Sequence, residues 1–96
     1  MSTQVQPGGQ GPTGTTAEVV SIADTSTKVT LVAPSAYITI VNPSSTATVY
    51  FSPVSPATTT SFPILPLTAY SYGGTELTEF WAITSTGSVG IGLIAH

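Results

Sequence analysis

Beyond residue 16, apolar side chains recur at every second position or in short runs, and no stretch sustains a 3.6-residue repeat. Val89, Ile91 and Leu93 alternate with Gly90 and Gly92; Ile38 and Ile40 alternate with Tyr37 and Thr39; Val29 and Leu31 alternate with Lys28 and Thr30. A period of two sends successive side chains to opposite faces of an extended strand, so each segment has one apolar face. The pattern predicts strands over 17–23, 27–33, 36–42, 47–52, 67–72, 79–84 and 88–95, with a shorter eighth over 58–62. Between them, Asp24-Thr25-Ser26, Pro34-Ser35, Asn42-Pro43-Ser44-Ser45, Gly73-Gly74 and Ser85-Thr86-Gly87 have turn chemistry. The expected architecture is all-β: a single antiparallel β-sandwich of about seven or eight strands, in jelly-roll or immunoglobulin-like order.

Two segments break the alternation. Val49-Tyr50-Phe51 and Phe80-Trp81-Ala82-Ile83 are apolar on both sides. A sandwich covers one face of each strand, which leaves the other as a candidate contact surface with Tyr37, Tyr50 and Trp81 as anchors. The competing reading has these aromatics wrapping the ends of the sandwich. The glycines of the last strand mark a place where another backbone or a large side chain comes close.

Composition changes abruptly at residue 16. Before it, only Met1 and Val5 are apolar, among Pro7, Gly8, Gly9, Gly11, Pro12 and Gly14. Such a segment has too little surface to bury to offset its own ordering entropy. The chain therefore divides into an extended N-terminal arm, 1–16, and a β domain, 17–96. Sixteen extended residues reach about 50 Å at ~3.3 Å each. The expected role of the arm is partner contact, centred on Gln4, Val5, Gln6, Pro7 and Gln10; the competing reading is a floppy terminus with no role.

Charge narrows the partners. Charged residues are 5% of the chain, namely Glu18, Asp24, Lys28, Glu76 and Glu79. One lysine cannot neutralise a row of phosphates, which argues against nucleic acid and against an anionic membrane surface. Polarity comes instead from 18 Thr and 12 Ser, either as an uncharged surface suited to work outside the cytoplasm or because neighbours cover it. No cysteine is present to supplement the core of a domain this small. Residues 1–16 lack the basic and apolar blocks of a secretory signal, and no apolar run reaches the ~20 residues of a spanning helix.

Catalytic groups are scarce. The one histidine, His96, is the final residue, which leaves no base for a triad and too few ligands for a zinc site. Glu76 and Glu79 share one short segment, where solubilising charge explains them better than acid–base hydrolysis or weak cation binding with Asp24. Gly87-Ser88-Val89-Gly90-Ile91-Gly92 lies within an alternating strand and lacks the strand-to-helix setting of a phosphate loop. Asn42-Pro43-Ser44 fails as a glycosylation acceptor because proline is in the middle, and Pro63-Ile64-Leu65-Pro66 lacks a flanking basic residue. A non-enzymatic protein with no cofactor and no metal is expected.

The order of these features resembles a known type. "AYITIVNPSSTATVYFSP", a Thr-rich link, "FPILPLTAYSYGG" and "EFWAITSTGSVGIGLIAH" are similar to small β-sandwich virion proteins of tailed bacteriophages, over residues 36–96. After Leu67 those proteins often have Pro-Gly where this chain has Thr68-Ala69-Tyr70. The resemblance implies a capsid cement or decoration protein at the outer surface of a virion, binding the major capsid protein or other virion subunits as a homo-oligomer, with a trimer favoured. It supplies no catalytic residues. The alternatives are a phage tail, fibre or host-recognition component, or a carbohydrate- or surface-binding β-sandwich module in which Trp81 and the tyrosines stack on sugar rings.

Overall fold

The computed structural model describes residues 16–95, and all regular structure among them is β. The strands are β1 (Thr16–Ala23), β2 (Thr27–Asn42), β3 (Val49–Ser52), β4 (Phe62–Ile64), β5 (Thr68–Thr84) and β6 (Ser88–Ala95). They form one antiparallel sheet in the order β1-β6-β2-β5-β3-β4, curled into a half-barrel. The all-β expectation is met. The separate seven or eight strands of a sandwich are not: the described residues form six strands in one sheet.

The difference lies in two long strands. Segments 27–33 and 36–42 are one strand, β2, and segments 67–72 and 79–84 are one strand, β5. Pro34-Ser35 and Gly73-Gly74 are therefore bends and not turns. Between Thr30↔Glu79 and Ser35↔Leu77, four residues of β2 face one of β5; between Ser35↔Leu77 and Tyr37↔Gly73, three residues of β5 face one of β2. Paired bulges of this kind sharpen the local twist and turn a sheet through a corner without breaking it. Ser35 is buried at the bend, where its hydroxyl donates to Tyr37 O at 2.8 Å. Tyr72 Oη donates to Thr75 O at 2.9 Å, and a Cβ at Gly74 would lie 3.1 Å from that hydroxyl. Glycine is the residue that lets the tyrosine cross there.

The bend gives the sheet two leaves. Ile38–Val41 of β2 pairs with β6 and Thr68–Gly73 of β5 pairs alongside it, with β1 beyond β6. In the other leaf, Thr27–Thr30 of β2 pairs with Glu79–Ala82 of β5, followed by β3 and β4. The inner faces meet over Ile22, Val29, Leu31, Ile38, Ile40, Val49, Phe51, Phe80, Val89, Ile91 and Leu93, all buried. Phe51 is at the centre, with ring centroids 5.2 Å from Phe80, 5.6 Å from Tyr70 and 5.7 Å from Tyr72. Each such ring pair adds roughly 0.5–1.5 kcal/mol beyond area burial. The inward residues predicted for the strands at 27, 36 and 88 are those found in the core.

Two loops are tied down by a buried polar side chain. Asn42, fully buried, donates through Nδ2 to Ala47 O at 2.9 Å and Ile64 O at 3.0 Å, with Leu65 O at 3.3 Å, and accepts from Ser44 N at 3.1 Å. Leu67 N donates to Ser44 O at 3.0 Å across the same junction. The other connection, Ser85-Thr86-Gly87, carries the chain from β5 in one leaf to β6 in the other, and Gly87 adopts φ +61° there. Three predicted turns hold: the one at Asp24, the one after Asn42 and this one.

Candidate functional site

Register places side chains on the outer faces directly. On the leaf of β1, β6, β2 and β5, one row across the sheet is Ala17, Ile94, Thr39 and Ser71, and the next is Val19, Gly92, Val41 and Ala69. Ser21 and Gly90 continue it on one side, Tyr37 and Gly73 on the other. None of the five charged residues is on this face. Val19 is 77% exposed, Tyr37 48%, Val41 38% and Ile94 36%. Thr39 and Ser71 hydroxyls hydrogen-bond across the strands at 3.2 Å.

The glycines shape this surface. A Cβ on Gly90 would lie 3.4 Å from Val19 Cγ1, and one on Gly92 would lie 3.5 Å from Val41 Cβ. The valines of the flanking strands lean over the bare backbone of β6, which is the close approach expected from the alternating glycines. Tyr37 does the same over Gly73, where a Cβ would lie 3.6 Å from the ring Cδ1. The result is a low, even surface of Val, Ile, Ala, Gly, Ser and Thr.

The second leaf has a different outer face. Tyr50 stands opposite Ile83 and Pro63, and Trp81 stands opposite Lys28 and Ser52. Tyr50 and Trp81 are thus diagonal neighbours, both half-buried. Lys28 Nζ and Glu79 Oε1 form an ion pair at 3.2 Å beside them. Of the three aromatic anchors expected from the sequence, Tyr50 and Trp81 share a face and Tyr37 is on the other leaf. Gln4, Val5, Gln6, Pro7, Gln10 and His96 lie outside the described residues.

The sheet also has two unlike edges. β4 is three residues long and contains Pro63, which has no N–H to offer. β1 is eight residues long, pairs with β6 without a bulge, and has neither proline nor lysine. Glu76 and Glu79 belong to β5, and no three His, Cys, Asp or Glu come together among the described residues. The described residues form no pocket, and they include no helix long and apolar enough to cross a membrane. Val41 and Ile94 share the parity of Thr39 and of Gly92, opposite the apolar face, whereas Val19 is not legible as a surface residue because apolar residues occur at both parities in 17–23. Comparison of the chain with family models, with curated proteins and with solved structures finds no match.

Proposed function

We propose that the protein is a non-enzymatic structural protein that attaches by β-surface to a larger assembly, acting as a cement or decoration protein on the outer capsid of a tailed bacteriophage. The observation that carries this reading is the uncharged outer face of the β1-β6-β2-β5 leaf. Desolvating it leaves no charge unpaired, which is the main cost of covering a polar surface. Four strands ~4.8 Å apart and about six residues long give a face of roughly 400 Å². That is about half the ~800 Å² that each partner contributes to a standard interface. One domain alone would hold weakly, so attachment at useful strength requires the arm or several linked copies. The resemblance of residues 36–96 to small virion proteins supports the same reading.

Co-sedimentation with capsids tests it. The full chain should pellet with particles, Val41→Lys should reduce the bound fraction at unchanged melting temperature, and deletion of residues 1–16 should weaken attachment further. Equal decoration by wild type and Val41→Lys would overturn the assignment of this face. The diagonal Tyr50–Trp81 pair favours a second reading, a glycan-binding module. Under that reading Trp81→Ala loses glycan affinity while the fold survives.

A further inference from the structure

The outer edge of β1 is a row of main-chain hydrogen-bonding groups, and its phase can be read. Ala23 N donates to Thr27 Oγ1 at 3.1 Å, away from β6. In an antiparallel ladder alternate residues face alternate sides, so Ser21, Val19 and Ala17 also direct N–H and C=O away from β6. Among the described residues, no backbone hydrogen bond outside the β6 ladder involves these three. An edge this long, regular and unprotected is a template for one more strand.

We infer that the strand it takes is β1 of a second copy of this chain, paired antiparallel about a two-fold axis through Val19. A two-fold axis perpendicular to the sheet keeps outer faces together and pairs residues of equal parity. The register Val19↔Val19, Ala17↔Ser21 and Glu18↔Val20 satisfies this condition and the outward phase at once. It makes about six backbone hydrogen bonds from the three outward residues of each copy. It also covers Val19, at 77% the most exposed large apolar side chain among the described residues, with its own equivalent. Glu18, the only charge on β1, meets a valine and not its symmetry mate. The two uncharged outer faces then join into one surface eight strands wide.

Size sets the strength. An edge of eight residues is about 26 Å long at ~3.3 Å per residue, and at sheet thickness it buries roughly 500 Å² in total. Interfaces below about 1,200 Å² are weak and transient, so the dimer should exchange with monomer at micromolar concentrations or above. Two-fold pairing differs from the trimer that the virion resemblance implies. It depends on β1 alone and stands apart from the capsid reading.

Sedimentation equilibrium of the full chain over a wide concentration range tests the inference, with amide exchange followed by NMR on the same samples. The expected result is a monomer–dimer equilibrium in which the amides of Ala17, Val19 and Ser21 gain protection as dimer forms. Val19→Pro removes an outward N–H and leaves the β6 ladder intact, so it should weaken association at least about tenfold, by the scale of lost interface hydrogen bonds. If that variant does not fold, Val19→Lys keeps the backbone and should give the same loss through charge repulsion on the axis. A monomer at all concentrations, a trimer, or those amides protected even in dilute monomer would each overturn the inference. So would association unchanged in both variants. Capsid binding that fails while the dimer persists would count against the capsid reading only.

Discussion

Removing the Asn42 side chain should be the most costly polar substitution in the domain. Its amide donates at 2.9 Å and 3.0 Å to the carbonyls of two buried residues, Ala47 and Ile64, and its Oδ1 accepts from Ser44 N at 3.1 Å. A hydrogen bond contributes about 1 kcal/mol net, and more where its loss leaves a buried partner unpaired, so Asn42→Ala should cost about 3 kcal/mol. At roughly 0.05–0.15 kcal/mol per residue, the 80 described residues have about 4–12 kcal/mol in all. For a domain this size each kcal/mol shifts the midpoint by ~4–8 °C, which predicts a fall of about 12–24 °C. Thermal unfolding followed by circular dichroism measures it. Asn42→Asp sharpens the test, because it keeps the acceptor and sets a carboxylate among carbonyl oxygens. Those oxygens and burial raise the folded-state pKa above the unfolded value of ~3.9, so the folded chain holds the proton more tightly. Stability of this variant is therefore fully present below pH ~4 and is lost as pH rises through the folded-state pKa. Near neutrality it should be less stable than Asn42→Ala, and in acid the two should converge or cross. A midpoint fall under about 5 °C for Asn42→Ala would refute the view that this side chain holds the two loops together.

Three further outcomes follow from single positions. Leu67 adopts φ 59° and is 69% exposed, so Leu67→Gly should relieve roughly 1 kcal/mol of left-handed strain at little loss of burial, raising the midpoint by a few degrees. Gly87→Ala has open space around its Cβ but a φ of +61°, so it should cost about 1 kcal/mol through the backbone, whereas Gly90→Ala makes an ordinary 3.4 Å contact with Val19 and should be near neutral; unfolding midpoints of the two variants compare them directly. The Lys28–Glu79 pair is solvated, with side chains 56% and 38% exposed, so Lys28→Ala should change stability by less than about 1 kcal/mol, measured by urea unfolding at low and high salt.

Alternation made the core legible. Val89, Ile91 and Leu93 are buried as their spacing requires, and β6 has the predicted bounds. The errors came from residues whose chemistry serves two purposes. Proline, serine and paired glycines favour reversal of the chain, and they equally favour a bulge; which one forms depends on the strand lying alongside, here Leu77 opposite Ser35 and Tyr37 opposite Gly73. The strand expected over 58–62 forms instead as Phe62–Ile64, because pairing with β3 places Phe62 opposite Phe51. Asn42 reads as a turn initiator, and it is one, but Ile64 O and Leu65 O lie 22 and 23 residues later in the chain, out of reach of any local pattern. The uncharged face was half legible: bare glycines announced it, while Val19 could not be told from Val20 until β1 had a partner.

The position of β6 has a consequence for how the chain is made. β6 is the last of the six strands in sequence, yet it lies between β1 and β2. Until it leaves the ribosome, the first strand has nothing to join, and the nascent chain exposes two unfilled edges around a missing strand. Thr16 pairs with Ala95, so closure of the sheet brings the two ends of the domain together in a final step of long sequence separation. Completion of the fold therefore waits on β6, and a chain in which residues 88–95 are not yet in place holds its apolar strands open to its neighbours.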